Sequence, residues 1–477
     1  MLKFLITNFA FESWIYYCIC GLLSLLVLFG IYLMSNVKRS VLGNRISAFA
    51  MLCAIIVTLV YNNILPVWYI YLCMAIGTII GIIFTLKVKM IQMPQLVALL
   101  NGFGGASSAL VGIFAILGIG VGDAKGVFSD LTSGIAIAVG FVTLIGSLVA
   151  AGKLHRILSQ KPIIYKGHKF YTLSSLLLTL GSIIALIFIN SGIEFIILII
   201  GLSIFSSLFG WFFSIRVGGA DMPITISLLN SLSGVAAAIA GLAISDALLV
   251  SIGGIVGASG LLLTQVMCKA MNRKLFDILL SKSTKKKVVV QVEKKEEVVE
   301  TKEQPLKQRT TIEVIKEAKN VIIVPGYGMA VAQAQHLVKK LADYLRTNGA
   351  QVKYAVHPVA GRMPGHMNVL LCEADVDYED LYEMEDINPE FASADLAIVI
   401  GANDVLNPAA REAEGTPIYG MPILYVDKCK EVIIFNYDLK PGYAGVENPI
   451  YNREGVYKEL GNASDTIAKV LNQLTNS

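Results

Sequence analysis

Charged residues are scarce in this chain of 477 residues. Asp, Glu, Lys and Arg make up 16% of it and hydrophobic residues 55%, and the mean hydropathy is +0.66. These values exclude an ordinary soluble protein. The seven cysteines form no CxxC pair and most lie in apolar stretches, so neither a metal site nor a disulfide framework is indicated.

Long stretches without any Lys, Arg, Asp or Glu dominate the first 268 residues. Each stretch has about 19 to 25 residues, and roughly 20 residues are enough to cross a hydrocarbon core of about 30 Å. We therefore predict a polytopic α-helical membrane domain with nine spans, at residues 14–34, 46–65, 66–86, 94–118, 131–151, 171–190, 195–213, 222–243 and 247–268.

Basic residues are concentrated after the first, third, fifth, seventh and ninth predicted spans. The loops between these positions hold almost none, with Lys125 as the exception. Because loops rich in Lys and Arg stay on the cytoplasmic side of a membrane, the N-terminus is predicted to lie outside and the C-terminal domain in the cytoplasm.

The chain changes character after the predicted transmembrane domain, 1–268. Residues 269–318 contain runs of mixed charge and are predicted to be a charged, flexible linker. Residues 319–477 hold 13 Lys and Arg against 21 Asp and Glu, so nucleic acid is not expected as a partner of this last domain.

Two membrane segments repeat each other. Residues 93–112 and 222–241 share eight of twenty positions, among them Asn101 and Asn230. Both amides lie at a predicted depth of roughly 10–12 Å from the cytoplasmic end of their helices, which enter the membrane in the same direction. They either hold a polar site or a water file, or form hydrogen bonds between packed helices.

The C-terminal domain alternates strand and helix patterns. Strands are predicted at 321–324, 351–357, 395–402, 422–426 and 431–435, and helices at 329–346 and 367–373. This alternation indicates an α/β, doubly wound, Rossmann-like domain with ligands at the carboxyl ends of its strands. Gly326 and Gly328 after the first strand would let the backbone turn sharply and approach a pyrophosphate.

Several motifs together carry a resemblance to a known family. They are PGYGMAVAQAQ at 325–335, HPVAGRMPGHMNVLL at 357–371, VIGAND at 399–404, NPAA at 407–410, GYAG at 442–445 and, in the membrane part, GADMP at 219–223, LLNS at 228–231 and MCKAMNR at 267–273. Over essentially its whole length, the chain resembles the β subunit of the proton-translocating nicotinamide nucleotide transhydrogenase.

The resemblance implies a function for both domains. It implies that this chain binds NADP(H), that an α subunit binds NAD(H), and that hydride transfer between them is coupled to proton movement through the membrane domain. It also implies an assembly of two αβ units, surrounded by membrane lipid. The membrane would be a bacterial inner membrane or, alternatively, the mitochondrial inner membrane.

The resemblance also implies site residues, carried over by motif. The cofactor would be bound by three loops and a fourth segment: Gly326, Tyr327, Gly328, Met329, Ala330 and Val331; Val359, Ala360, Gly361, Arg362 and Met363; Gly401, Ala402, Asn403 and Asp404; and Asn436, Tyr437, Asp438, Lys440, Gly442, Tyr443 and Ala444. Asn101, Asn230 and Asp221 would serve the proton path, and Asp404 would sense it. From the residues alone, Arg362 could instead cap a helix, and Asp404 could be a turn residue bound to its own backbone.

The chain departs from the family at two places. Some members have a histidine at the position of Asn101, and an amide does not titrate near neutral pH. His155 and His168 fall in a predicted cytoplasmic loop and are poor substitutes. Where the family commonly has Lys-Arg-Ser, this chain has Asn436-Tyr437-Asp438, so Lys440 would have to bind the 2′-phosphate of NADP(H).

A different class of function remains open on sequence alone. A channel or transporter gated by a cytoplasmic dinucleotide-sensing domain would have the same spans and the same nucleotide-binding pattern. A transhydrogenase needs a partner chain with a second dinucleotide domain, whereas a sensor does not.

Overall fold

The structure, a computed structural model, divides into two compact units, Met1–Gln265 and Val266–Ser477. It describes residues 13–35, 39–62, 64–88, 92–119, 126–159, 162–189, 192–218, 221–270, 275, 309–361, 365–416, 418–442 and 444–475. Most of the predicted linker, at 271–274 and 276–308, therefore lies outside the described residues, as do Arg362, Met363 and Tyr443.

The described part of the first unit contains nine long helices, the last of which continues to Ala270. They are α1 (Ser13–Met34), α2 (Ser40–Tyr61), α3 (Trp68–Lys87), α4 (Met93–Ile116), α5 (Val127–Leu154), α6 (His168–Ala185), α7 (Gly192–Ile215), α8 (Met222–Ala243) and α9 (Ala247–Ala270). Eight of these described helices are long and apolar enough to cross a membrane. Helix α6, at the sixth predicted span, is not among them, because its 18 residues include a histidine, a lysine and five Ser or Thr. The sixth predicted span, 171–190, and with it the total of nine, is therefore not confirmed.

Helix α5 lies against α4, α7 and α8, so it forms the centre of the described membrane helices. Small residues let its backbone approach that of α4. A Cβ atom added to Gly140 would lie 2.5 Å from the carbonyl oxygen of Gly105, a distance that no side chain tolerates. Close packing through glycine is a common way for membrane helices to associate.

The two repeated helices, α4 and α8, contact each other directly. Asn101 Nδ2 donates to the carbonyl oxygen of Ile226 at 3.3 Å. Three residues further along α4, a Cβ atom on Gly104 would lie 3.5 Å from the Cβ atom of Ser233. Both contacts advance in the same direction along the two helices, which therefore run parallel.

The second unit is built on one sheet of six parallel strands. The strands are β1 (Asn320–Pro325), β2 (Gln351–Val356), β3 (Leu381–Glu383), β4 (Leu396–Ile400), β5 (Glu431–Asn436) and β6 (Val456–Leu460). Their order across the sheet is β3-β2-β1-β4-β5-β6. The predicted parallel sheet is thus confirmed, and β1 and β4, whose neighbours shield both edges, are buried apart from Asn320.

Short helices connect these strands. The α-helices are α10 (Thr311–Glu317), α11 (Tyr327–Ala332), α12 (Gln335–Thr347), α13 (His366–Glu373), α14 (Met384–Ile387), α15 (Ala409–Glu412) and α16 (Ala463–Thr475). Single 3₁₀ turns occupy Tyr378–Asp380, Asn388–Ala392, Asp404–Leu406, Val426–Lys428 and Pro449–Asn452. On one side of the sheet, Phe391 and Leu406 pack with strand residues such as Val399 and Ile434 in a continuous apolar core.

The folded unit begins before the predicted domain boundary at 319. Helix α10 starts with a capping box, in which the side chain of Thr310 accepts from the N–H of Glu313 and the Glu313 carboxylate accepts from the N–H of Thr310. Val314 and Ile315 of this helix are buried. The last residues of the predicted linker are therefore part of the C-terminal fold.

Two predicted elements of this unit were wrong, and two strands were missed. The predicted helix 329–346 is two helices, because the chain breaks at Gln333, whose φ is 51°. The predicted strand 422–426 is not a strand, because its backbone does not pair with a neighbouring strand. The Leu424 N–H donates to Val405 O in a loop, and the Tyr425 N–H donates to the side-chain oxygen Oδ1 of Asn388. The two edge strands β3 and β6 were not predicted.

Candidate nucleotide-binding site

The loops after β1 and β4 interlock through glycine. The N–H of Gly326 donates to Ile400 O and the N–H of Gly328 donates to Gly401 O, both at 2.8 Å. Cβ atoms added to Gly326 and Gly328 would lie 2.3 and 2.6 Å from backbone atoms of Gly401. Gly401 itself has a φ of +65°, which disfavours any other residue. The close approach that these glycines permit is therefore between the two loops, and the N–H of Gly328 is already bonded within the protein.

Helix α11 carries the other predicted residues of the first loop. Met329 and Ala330 are buried, Tyr327 is half-buried and Val331 is 48% exposed. The ring of Tyr327 lies 6.3 Å from the ring of His366, measured between centroids. The first loop thus presents Tyr327 and Val331 at the carboxyl edge of the sheet.

The loops after β4 and β5 are joined by Asp404. Its Oδ2 accepts from the N–H of Ala444 at 3.0 Å, and a Cβ atom on Gly442 would lie 2.6 Å from its Oδ1. Asn403 Nδ2 donates to Lys440 O at 3.0 Å. The carboxylate of Asp404 therefore bonds the backbone of another loop, and the absence of a side chain at Gly442 makes room for it.

Two further asparagines, which were not predicted as site residues, hold the same pair of loops. Asn448 Nδ2 donates to Asn403 Oδ1 at 3.1 Å, and Asn407 Nδ2 donates to Glu447 O at 3.1 Å. Asn407 belongs to the NPAA motif, so the sequence contained a signal for it. Asn448 follows the GYAG motif, and nothing in its sequence context distinguishes it.

Asn436 is buried rather than presented at the surface. Its Nδ2 donates to Ala402 O and to the hydroxyl of Tyr451, each at 3.1 Å. Burial raises the pKa of Tyr451 to about 12, so the phenol stays protonated. Asn436 therefore fixes the end of β5 against the β4 loop, and Tyr451 is a supporting residue that sequence reasoning missed.

The next residues of this loop are exposed. Tyr437 is 80% exposed. Asp438 Oδ1 accepts from the N–H of Lys440 at 3.1 Å, and Asp438 Oδ2 lies 3.6 Å from Lys440 Nζ. The ammonium group of Lys440 thus already has a carboxylate neighbour, although its side chain is 84% exposed.

The loop after β2 is organised by histidines. His357 is buried, and its Nε2 lies 2.9 Å from Pro422 O while the N–H of Val359 donates to its Nδ1 at 3.3 Å. This pattern requires a neutral ring with the proton on Nε2, and burial lowers the pKa of His357 to about 4. Gly361 has a φ of +117°, and a Cβ atom there would lie 2.5 Å from Nδ1 of His366. Ala360, beside it, is buried.

The three residues predicted for the proton path lie in two places. Asn101 is buried and bonded to Ile226 O, one turn before the half-buried Asn230 on α8. Asp221 immediately precedes α8, and its carbonyl oxygen accepts from Thr225 Oγ1 at 3.2 Å. The structure brings the two amides to adjacent turns of packed helices and places Asp221 at the start of the helix that carries Asn230.

Three basic residues that lie outside the predicted spans are buried near this end of the helices. Lys153 has no exposed surface, and its Nζ donates to Ile215 O and, at 2.7 Å, to Val217 O. Arg216 is buried beside these carbonyls. His168, predicted in a cytoplasmic loop, is the first residue of α6 and is buried, with Nε2 2.9 Å from Phe212 O.

Comparison with known proteins agrees with this pairing of membrane helices and a parallel sheet. A family model described as NAD(P) transhydrogenase beta subunit matches residues 16–473. The chain is 39% identical to NAD(P) transhydrogenase subunit beta of Rhodospirillum rubrum over 460 residues, which cover 95% of this chain and 97% of that protein. The protein from a designated strain of the same species matches with the same values. The chain therefore belongs to the NAD(P) transhydrogenase beta subunit family.

Proposed function

We propose that this chain binds NADP(H) in its C-terminal unit and exchanges hydride with NAD(H) held by an α subunit. The strand order of the sheet is the observation that carries the proposal. The order 3-2-1-4-5-6 is that of Rossmann-type, doubly wound folds, which bind dinucleotides where the order reverses. Here the reversal lies between β1 and β4, the two strands whose loops are interlocked at Gly328 and Gly401.

Each loop at this edge has a proposed role. Residues 326–331 and 359–363 would line the pyrophosphate cleft, residues 401–404 would lie beside the nicotinamide, and residues 436–444 would hold the adenosine end. Because the N–H of Gly328 is bonded to Gly401 O, the glycines shape the cleft, and other backbone N–H groups must bind the phosphates. Asn403, Asp404 and the buried Asn436 hold two of these loops together.

The hydride transfer needs little chemistry from the protein's own side chains. When bound, the nicotinamide rings supply both reacting carbons, so no protein acid, base or metal is needed for the hydride step. The protein's contribution is to hold the rings in position and exclude water. Loops that are cross-linked by hydrogen bonds and packed glycine backbones suit this task, because they lose little freedom when a ligand binds.

The membrane unit would couple this exchange to proton movement. Asn101 and Asn230 lie on adjacent turns of parallel helices, which is where two amides could order water, and Asp221 would be the titrating group at the cytoplasmic mouth. We also propose that α6 crosses the membrane as the sixth of nine spans, which leaves the N-terminus outside and the C-terminal unit in the cytoplasm. The setting would be a bacterial inner membrane, in which two αβ units assemble among lipid.

Membranes that contain this chain test the proposal. With an α subunit present, we expect them to reduce a nicotinamide analogue at the expense of the other dinucleotide, since direct transfer needs two binding sites. Membranes with this chain alone should not. Equal activity without the α subunit would contradict the proposal, and binding of dinucleotide with no transfer by the pair would favour a nucleotide-gated channel.

A further inference from the structure

Tyr437 has more exposure than any other large apolar or aromatic side chain among the described residues of the C-terminal unit. Its exposure is 80%, against 48% for Val331 and 41% for Tyr378. Such a ring contributes little to the fold, because most of its surface stays in contact with water. The side chain is therefore available for a ligand.

The backbone that carries this ring is fixed from both sides. On one side, the side chain of Asn436 donates to Ala402 O and to the hydroxyl of Tyr451. On the other, the N–H of Lys440 donates to Asp438 Oδ1, and Lys440 O accepts from Asn403 Nδ2 at 3.0 Å. A ring on a fixed backbone loses little freedom on binding, which favours affinity.

The position of the ring indicates its ligand. Tyr437 follows β5 at the carboxyl edge of the sheet, next to the β4 loop at Gly401. In the proposed function this segment holds the adenosine end of the dinucleotide. The group of adenosine that suits an exposed, uncharged aromatic ring is the adenine base, since every base offers a π-face for stacking.

We propose that Tyr437 stacks on the adenine ring of the bound dinucleotide. This inference rests on the proposed function. The phenol is uncharged, so it binds adenine with or without a 2′-phosphate and gives affinity without discriminating between NADP(H) and NAD(H). The loop then has two parts with separate tasks: Tyr437 holds the base, and the charged pair of Asp438 and Lys440 decides how well a phosphate is tolerated.

Calorimetric titration of the full chain in detergent tests this assignment with three probes. The probes are NADP+, NAD+ and adenosine 2′,5′-bisphosphate, which carries adenine but no nicotinamide. We expect Tyr437→Leu to weaken binding of all three by the same factor, about five- to a hundredfold, which is the range of base–aromatic stacking. Tyr437→Phe, which keeps the ring, should bind within about twofold of the unsubstituted chain.

Tyr378→Leu is the matched control, because Tyr378 is an exposed tyrosine of the same unit outside the proposed site. It should leave all three affinities unchanged. Unchanged binding by the Tyr437→Leu protein would overturn the stacking proposal while the proposed function stands. An equal loss in the Leu and Phe variants would also overturn it, because the hydroxyl would then be the binding group. If the unsubstituted chain binds neither dinucleotide, the proposed function itself fails.

Discussion

Among single residues, Lys440 is the described cation that we propose favours NADP(H) over NAD(H). Its Nζ lies 3.6 Å from Asp438 Oδ2, and the side chain is 84% exposed. A charge-assisted hydrogen bond to a phosphate stabilises by about 1.5–3 kcal/mol, but solvent screening and the neighbouring carboxylate both reduce this value at an exposed site. The preference for NADP(H) that Lys440 can supply is therefore modest.

We expect Lys440→Ala to weaken binding of NADP+ by about two- to tenfold and to leave binding of NAD+ nearly unchanged. Asp438→Asn should act in the opposite direction, because it frees the ammonium group and removes a negative charge near the phosphate. Calorimetry with both dinucleotides at one salt concentration measures the preference. Lys340→Ala, at an exposed lysine on α12, is the control. An unchanged preference in the Lys440→Ala protein would rule out this lysine as the phosphate ligand.

His357 gives a second prediction at this scale, on stability. Its pKa is about 4 in the folded protein and 6.5 without the fold, because burial excludes the charged form. Below pH 6.5 His357 binds a proton in the unfolded chain but stays neutral in the folded chain. The free energy of unfolding therefore falls as the pH is lowered towards 4. The total loss is roughly 3 kcal/mol.

Denaturant unfolding of residues 309–477 at several pH values measures this loss. His357→Asn should be less stable at neutral pH and should show a shallower decline between pH 6.5 and 4. His336→Ala, at an exposed histidine, should keep the original decline. The same slope in the His357→Asn and unsubstituted proteins would show that other groups cause the pH dependence.

For the strands, how well the sequence predicts an element depends on how deeply its residues are buried. The predictions for β1, β4 and β5 were close to the observed bounds because their residues are almost all buried and apolar. Strands β3 and β6 sit at the sheet edges and are only partly buried, so no continuous apolar run marks them. Conversely, residues 422–426 are apolar because they line the core, and their hydrogen bonds go to a loop and a side chain.

Burial also limits what the sequence can predict about the candidate site. Motifs located the loops at 326–331, 401–404 and 436–444, but periodicity and spacing could not tell which residues face a ligand. From the sequence, Asn436 is predicted to be a polar loop residue. The structure shows that it is buried and bonded to Tyr451. Such hydrogen bonds join residues far apart in sequence, so a local pattern cannot predict them.

Glycine positions in the membrane helices lead to a third prediction. A Cβ atom at Gly140 of α5 would lie 2.5 Å from Gly105 O, whereas one at Gly77 of α3 would meet nothing within 4 Å. We expect Gly140→Val to separate α4 from α5 and to lower thermal stability of the detergent-solubilised chain strongly, by several kcal/mol at such a contact. Gly77→Val, the same substitution on a helix without buried residues, should change the melting temperature little. Equal effects of the two variants would mean that α4 and α5 do not pack through this contact.

For the protein as a whole, the proposed coupling of hydride transfer to proton movement involves the amides between α4 and α8. The hydrogen bond from Asn101 to Ile226 O is what a purely structural amide would make. Its removal would cost about 1 kcal/mol, which is too little to unfold the membrane unit. A larger functional loss would therefore indicate a role beyond helix packing.

We expect Asn101→Leu and Asn230→Leu each to reduce proton movement per hydride transferred, while the affinity of the chain for NADP+ stays nearly the same. Leucine has a volume similar to that of asparagine but cannot order water. Both amides lie on adjacent turns of the parallel helices α4 and α8. Vesicles that contain this chain and an α subunit allow both quantities to be followed, hydride transfer by absorbance and proton uptake by a pH-sensitive dye. Leu100→Ala, at an exposed side chain next to Asn101, should leave the ratio unchanged. If both leucine variants move protons at the normal ratio, the amides serve only to hold α4 against α8, and the proton path must run elsewhere in the membrane unit.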